Sequence, residues 1–182
     1  MRSEFTSRDG ASRDARRAAT ALILVGSTAL LGGALAFQYL GNLAPCEMCL
    51  WQRWPHVAAL GLALLAWGLR FDRRVLAVAA VSLVAGAAIA AYHAGVEWHL
   101  WAGPPACTAA AVRGSIANIS ALLLATPLIR CDAAAWTLFG ISMAGYNALL
   151  STTIGGASLW LITKHRATAG TPSKSMRHAP IR

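Results

Sequence analysis

The chain has 182 residues, of which 57% are hydrophobic and only 13% carry a charged side chain. A soluble domain has about 25% charged residues, so this chain has about half the charge that a water-facing surface needs. Its 16 basic residues outnumber 7 acidic ones, but they do not form the single basic patch that nucleic-acid binding requires. The composition predicts an integral membrane protein and excludes disordered, collagen-like and coiled-coil chains.

Charged residues divide the chain into apolar stretches, four of which are long enough to be considered as membrane spans. A helix needs about 20 apolar residues to cross roughly 30 Å of hydrocarbon. The predicted helices cover about 18–39, 50–69, 75–93 and 136–163. The expected fold is therefore all-α, a four-helix membrane domain over 18–163.

Basic residues predict how this domain is oriented. With four spans, both terminal tails (1–17 and 164–182) and the short loop after the second helix share one side, which holds thirteen of the sixteen basic residues. Because cytoplasmic loops are rich in Lys and Arg, both termini are expected in the cytoplasm and the loops at about 40–49 and 94–135 outside. A fifth span would reverse the C-terminal tail, so residues 107–131 are expected to lie along the outer surface.

The N-terminus also has features of a signal peptide. Basic residues precede an apolar run that contains the small-residue motif Ala34-Leu35-Ala36. The run is longer than the 7–15 residues of a signal peptide's apolar region, which favours a retained span. Cleavage would leave the orientation of the loops unchanged.

All four cysteines fall in the two outer loops. Cys46 and Cys49 form a Cys-Glu-Met-Cys unit in the first loop, and Cys107 and Cys131 lie in the second. This topology places them in the non-cytoplasmic compartment, where disulfides persist. An even number suggests two disulfides. Four cysteines allow three pairings, although the C-x-x-C spacing favours a local pair.

Three kinds of site are compatible with these cysteines. They could form two structural disulfides. A zinc site with Cys46, Cys49 and His56 is disfavoured because no second C-x-x-C or H-x3-H completes it, so no metal is expected. Redox catalysis is favoured by the C-x-x-C and by Arg53, whose guanidinium would stabilise a thiolate at Cys49. The carboxylate of Glu47 would oppose that effect.

A redox role requires an electron acceptor. The sequence contains no G-x-G-x-x-G before a helix, no haem-attachment C-x-x-C-H and no Walker loop. The predicted spans hold no ionised side chain, which disfavours a pump or an ion channel. A lipid-soluble acceptor within the bilayer fits these observations.

Four segments resemble the bacterial disulfide bond formation protein B (DsbB) family, and they follow its order on the topology predicted above. They are Pro45-Cys46-Glu47-Met48-Cys49-Leu50-Trp51-Gln52-Arg53, then Tyr92-His93-Ala94-Gly95-Val96-Glu97-Trp98, then Trp101-Ala102-Gly103-Pro104-Pro105-Ala106-Cys107, and the run from Cys131 through Trp136, Gly140, Met143 and Tyr146. The resemblance covers roughly residues 18–163. Two features depart from the best-known members: an acidic residue at Glu47, and a shorter interval between the third and fourth cysteines.

The resemblance implies a thiol:quinone oxidoreductase of the bacterial inner membrane. A reduced periplasmic thioredoxin-fold oxidase of the DsbA kind would attack a Cys107–Cys131 disulfide, with Cys107 forming the mixed disulfide and Cys131 resolving it. Electrons would then pass to the Cys46–Cys49 pair and, through Cys49, to ubiquinone or menaquinone held near Arg53.

His93 is a further candidate for quinone binding, although a hydrogen-bonded histidine at the membrane interface is the commoner explanation for such a residue. A vitamin K epoxide reductase-like enzyme also combines four helices, a C-x-x-C and a quinone. In that family the motif lies near the end of the bundle, whereas here it follows the first helix. A non-catalytic membrane scaffold with two structural disulfides remains the alternative of a different class.

Overall fold

The computed structural model describes residues 2–105 and 130–167, with side chains for 10–105 and 130–164. Its elements are α1 (Arg2–Tyr39), α2 (Glu47–Trp51), α3 (Arg53–Gly68), α4 (Arg73–Glu97), β1 (Thr137–Leu138), β2 (Ile141–Ser142) and α5 (Met143–Ala167). The fold is mainly helical, as the sequence predicted. Cys107 and nearly all of the predicted surface segment 107–131 lie outside the described residues.

The four long helices form a bundle with a core of small side chains. Helices α1 and α4 each pack against both α3 and α5 and touch each other little. Six alanines of α3 and α4 are completely buried: Ala59, Ala63, Ala66, Ala79, Ala80 and Ala90. Small residues allow helix backbones to approach closely, which is how helices associate where water provides no hydrophobic drive.

The outer surface of this bundle is apolar. Among the described residues, two helical stretches are long and apolar enough to span a membrane, Gly10–Tyr39 and Arg73–Glu97. Large hydrophobic side chains point outward from all four long helices, for example Val25, Trp67, Val81 and Leu149, which are 49% or more exposed. Exposed apolar surface on this scale marks contact with a partner or a membrane, and together with the two apolar helices it indicates a membrane protein.

Helix α1 begins earlier than expected. The sequence predicted a basic tail over 1–17, but the helix runs without interruption from Arg2. Contacts between successive turns support this part of the helix: the Thr20 hydroxyl donates to the Arg16 carbonyl at 2.8 Å, and Arg17 lies 3.5 Å from Asp14. Such i,i+3 and i,i+4 contacts stabilise helices even where the residues are polar.

Two other predicted helices have different boundaries. The helix expected over 50–69 is divided at Gln52 into α2 and α3, because Pro55 has no N–H to donate to the Trp51 carbonyl. The helix expected from about residue 136 begins at Met143. The preceding residues form a hairpin that pairs β1 with β2, and its turn uses positive φ at Phe139 and Gly140 (50° and 78°), the geometry of a type I′ turn.

Adjacent glycines in α5 test the close helix packing. A Cβ atom at Gly155 would lie 2.9 Å from a Val84 methyl and 3.0 Å from the Ala80 carbonyl, whereas nothing lies within 4 Å of one at Gly156. We expect Gly155→Leu to lower the free energy of unfolding by about 1–3 kcal/mol through overpacking. Gly156→Leu is the matched control and should change it little. Denaturation of the purified protein in detergent measures both, and equal losses would contradict this packing.

Candidate redox site

The two cysteines of the first loop lie side by side at the start of α2. Cys46 is the N-cap residue, and its sulfur accepts the Cys49 amide at 3.2 Å. The two Sγ atoms are 2.9 Å apart, and both cysteines are free. Cys46 is buried, whereas Cys49 is partly exposed. The local pairing predicted from the C-x-x-C spacing is therefore present as a hydrogen-bonded dithiol rather than as a closed disulfide.

This contact makes the two sulfurs unequal. The Cys46 thiol donates to the Cys49 sulfur, which lowers the pKa of Cys49 and raises the pKa of Cys46. Burial opposes the change at Cys49, the positive charge of Arg53 assists it, and the carboxylate of Glu97 opposes it. The acidic residue that acts on the pair is thus Glu97 rather than Glu47, which is exposed on the first turn of α2. Of the two sulfurs, Cys49 is the one that ionises more readily.

His93 of α4 connects the dithiol to the interior of the bundle. Its Nε2 atom lies 3.5 Å from Cys46 Sγ and 3.8 Å from Glu97 Oε1. Its Nδ1 atom is 2.7 Å from the Gln52 side-chain nitrogen. Because that amide nitrogen can only donate, Nδ1 accepts and the neutral ring carries its proton on Nε2. His93 therefore presents an N–H group to the sulfur of Cys46.

The chain of contacts continues across two more helices. Asn147 of α5 donates from Nδ2 to Gln52 Oε1 at 2.7 Å. Its Oδ1 atom accepts from His56 Nε2 at 3.0 Å and from the Ser151 hydroxyl at 2.9 Å. We call His93, Gln52, Asn147, His56 and Ser151 the polar chain. It hydrogen-bonds between helices and ties α3, α4 and α5 together.

Cys131 lies next to the first pair of cysteines. It is disulfide-bonded, and it forms a buried cluster with Cys46, Met48 and Val96 against which Cys49 packs. His93 also hydrogen-bonds to the backbone of Cys131. Three of the four predicted redox cysteines therefore meet at one end of the bundle; Cys107 lies outside the described residues.

A cavity of about 790 Å³ opens beside the dithiol. Cys46, Cys49, Arg53, His93 and Glu97 lie in its wall together with the apolar and aromatic side chains of α1, the hairpin and α5, among them Leu30, Phe37, Trp136, Met143 and Leu150. The Arg53 Nε atom is buried and has no hydrogen-bond partner among the described residues. An apolar cavity of this volume with a few convergent polar groups has the character of a small-molecule site.

The structure brings together both residues predicted to bind a quinone, Arg53 and His93, at the wall of one cavity. His56, the histidine of the zinc site that the sequence disfavoured, lies along the polar chain, and His93 is the histidine beside the cysteines. Sequence reasoning missed Gln52 entirely. A polar residue within an apolar stretch was the available signal, because such residues in membrane proteins generally face the bundle interior and pair there.

Comparisons with known proteins agree with this site. A family model described as "Disulfide bond formation protein DsbB" matches residues 16–161. The chain is 32% identical over 162 residues to disulfide bond formation protein B of Verminephrobacter eiseniae (strain EF01-2), covering 81% of this chain and 86% of that protein. It is also 24% identical over 144 residues to an uncharacterized protein of Rickettsia prowazekii (strain Madrid E), covering 76% and 83% respectively. No solved structure matches it.

The inequality of the two sulfurs predicts selective alkylation of the reduced protein at neutral pH. Iodoacetamide should modify Cys49 faster than Cys46, because Cys49 is the more exposed residue and the pKa of its thiol is lowered. Peptide mass spectrometry over a time course measures both rates. Denatured protein is the control, in which the two rates should converge. Faster modification of Cys46 in the folded protein would show that the assignment is reversed.

The polar chain predicts a large cost for Asn147→Leu. This substitution removes the donor to the Gln52 oxygen and the acceptor shared by His56 and Ser151, and each buried group left unsatisfied costs about 1–3 kcal/mol. Ser158→Ala is the matched control on the same helix, because the buried Ser158 hydroxyl has no partner among the described residues. Unfolding in detergent should separate the two variants, and a neutral Asn147→Leu would mean that the polar chain adds nothing to stability.

Proposed function

The chain belongs to the disulfide bond formation protein B (DsbB) family, and from this premise we propose that it transfers electrons from a periplasmic dithiol protein to a membrane quinone. Family membership supports a role in disulfide bond formation. The observation that carries the finer proposal is that one apolar cavity is lined by both sulfurs of the dithiol and by Arg53. Its substrates would be a thioredoxin-fold oxidase of the DsbA kind and ubiquinone or menaquinone.

The cavity fits a quinone in both shape and chemistry. Its apolar and aromatic wall suits the ring and isoprenoid tail of a lipid-soluble molecule. Quinone oxygens are hydrogen-bond acceptors, and the buried Arg53 Nε atom is a donor without a partner among the described residues. A guanidinium keeps its positive charge at all working pH values, so Arg53 would favour negative charge that develops on a bound acceptor. His93, whose Nε2–H already meets Cys46 and the Cys131 backbone, would contribute through the dithiol.

The dithiol supplies two electrons and two protons. In the proposed reaction a quinone would take up these two electrons and two protons to become a quinol, and a Cys46–Cys49 disulfide would form. Cys49 is suited to donate electrons, since it is the more readily ionised sulfur and lines the cavity. Cys46 keeps its proton in the reduced state and lies 3.5 Å from His93 Nε2. The polar chain holds this ring in place, so that its Nε2–H group stays beside Cys46 when the charge on that sulfur changes.

The second pair would connect this site to the partner protein. We propose that Cys107 and Cys131 form the disulfide that the partner's thiolate attacks, with Cys107 entering the mixed disulfide and Cys131 resolving it. Thiol–disulfide exchange needs an attacking thiolate close to a disulfide sulfur. The packing of Cys131 against Cys46 and Cys49 supports direct exchange between the two pairs.

The proposed topology places this chemistry outside the cytoplasm. The four long helices would span the inner membrane with both termini in the cytoplasm, leaving residues 40–49 and 94–135 in the periplasm. Two observations support it: the cysteines lie at the hairpin end of the bundle, and the basic loop with Arg70, Arg73 and Arg74 lies at the opposite end of α4 from His93.

Quinone reduction tests the proposed function directly. The purified protein in detergent, supplied with a reduced thioredoxin-fold dithiol protein, should reduce ubiquinone or menaquinone, which absorbance follows. Cys49→Ser and Cys131→Ser should each abolish turnover without unfolding the protein, because each removes a sulfur of the relay. Full turnover by either variant would refute the relay. Absence of turnover with every quinone, in a folded parent protein, would leave the scaffold alternative.

Two arginines line the cavity, and they provide a variant and its matched control for testing the quinone site. Arg53→Leu should raise the quinone KM by about ten- to a hundredfold, since a hydrogen bond to a charged group contributes about 1.5–3 kcal/mol. Arg130→Leu is the control, because the Arg130 guanidinium is already bound by Asp132. Kinetics at varied quinone concentration measure both. An unchanged KM in Arg53→Leu would remove Arg53 from the quinone site.

A further inference from the structure

We propose that the reduced dithiol, together with His93, is a binding site for a thiophilic divalent cation such as Zn²⁺, and that occupancy holds the protein in its reduced state. Cys46 Sγ, Cys49 Sγ and a His93 ring nitrogen all lie within 4.8 Å of one another. Two thiolates and an imidazole form a donor set that zinc prefers. The binding itself follows from this geometry, whereas the inhibitory consequence rests on the proposed function.

The distances are close to those of a tetrahedral site. Zinc bonds of 2.0–2.3 Å place neighbouring ligand atoms about 3.3–3.8 Å apart. Cys46 Sγ and His93 Nε2 are 3.5 Å apart, and His93 Nε2 and Glu97 Oε1 are 3.8 Å apart. Only the two sulfurs, at 2.9 Å, must separate, by about 1 Å. Metal binding would replace the hydrogen bond that now draws them together.

Glu97 lies beside this group of three and would move towards it to become the fourth ligand. Its side chain is only 6% exposed, and its Oε2 atom has no hydrogen-bond partner among the described residues. A buried carboxylate oxygen of this kind is costly unless a cation or a donor reaches it. Two thiolates and this carboxylate carry three negative charges, which Zn²⁺ and the neighbouring Arg53 would balance. The charges of the site therefore favour a divalent cation.

The polar chain supplies the support that a metal-bound histidine requires. A ligating histidine donates its other ring N–H to an oxygen acceptor. At present Nδ1 accepts from the Gln52 nitrogen, and the Nε2 proton meets the Cys131 backbone. The side-chain amides of Gln52 and Asn147 can both rotate so that their oxygen and nitrogen atoms exchange places. Gln52 Oε1 then accepts from His93 Nδ1–H, and Asn147 Oδ1 accepts from Gln52 Nε2. This exchange of oxygen and nitrogen frees Nε2 for the metal and keeps the Gln52 contacts to both neighbours.

The site exists only in the reduced protein. Binding releases the thiol protons and converts both sulfurs to metal-bound thiolates, and no electron changes hands. A closed Cys46–Cys49 disulfide has no thiolate to offer, so the oxidised protein cannot form the site. Conversely, a metal bound to both sulfurs prevents them from passing electrons to a quinone. Zinc and quinone therefore compete for the same two sulfur atoms.

Co²⁺ is the spectroscopic probe for this site. Reduced, metal-free protein in detergent, titrated with Co²⁺ without oxygen, should develop thiolate-to-cobalt charge-transfer absorption at one ion per chain, and Zn²⁺ should abolish it. Cys49→Ser and His93→Gln should lose this signal. His99→Gln, at an exposed histidine beyond the end of α4, should keep it. Gln52→Leu should weaken binding by roughly 10–100-fold, because it removes the side chain that orients the His93 ring.

The outcomes separate this inference from the proposed function. No cobalt signal in a reduced protein that still reduces quinone would overturn the metal site alone. A signal that survives in oxidised protein, in Cys49→Ser or in His93→Gln would also overturn it, because the ion would be bound elsewhere. The proposed function would be refuted, and the metal site supported, by two results together. The cobalt signal would follow the expected variant pattern, and the same protein, assayed before any metal is added, would reduce no quinone. Loss of quinone reduction on adding Zn²⁺, restored by a chelator, is the expected result.

Discussion

The polar chain is the constraint on which the cysteine-containing end of the bundle depends. Inside a membrane protein no bulk water satisfies a buried polar group, so each must find a partner within the fold. Gln52, Asn147 and His93 meet this requirement for one another through contacts of 2.7 Å. They come from the α2–α3 junction, α5 and α4, and they can pair only when these three parts assemble in one register. That register sets where His93 lies against Cys46.

The same arrangement explains why the site combines stability with reactivity. Small side chains close the core of the bundle, whereas the cavity beside the dithiol is left open to a molecule of moderate size. One cysteine is buried and its pKa is raised, whereas the other is partly exposed and its pKa is lowered. Cys131 packs against both. The dithiol, the cavity and Cys131 thus share one end of the bundle, which is what the proposed relay between two cysteine pairs would need.

The features of the fold and the site that could be predicted from the sequence are those that depend on short spacing along the chain and on composition. Proximity of Cys46 to Cys49 follows from C-x-x-C, and the helical, apolar character follows from the low charge. Helix boundaries were less predictable, because the break at Gln52 depends on how Pro55 is accommodated and the hairpin before Met143 depends on a two-residue turn. The meeting of His93 with Cys46 could not be derived, because 47 residues separate them and only the packing of α4 decides which histidine reaches the sulfur.

The most direct measurement of the central claim is a single turnover with no partner protein present. Fully reduced protein is mixed with one equivalent of quinone, and quinol formed is compared with the thiols lost at each cysteine by alkylation and mass spectrometry. A Cys131→Ser variant shows whether the first pair is sufficient. The account predicts one quinol for each pair of thiols lost, confined to Cys46 and Cys49 and retained in Cys131→Ser. Quinol formation while Cys46 and Cys49 remain reduced would contradict it.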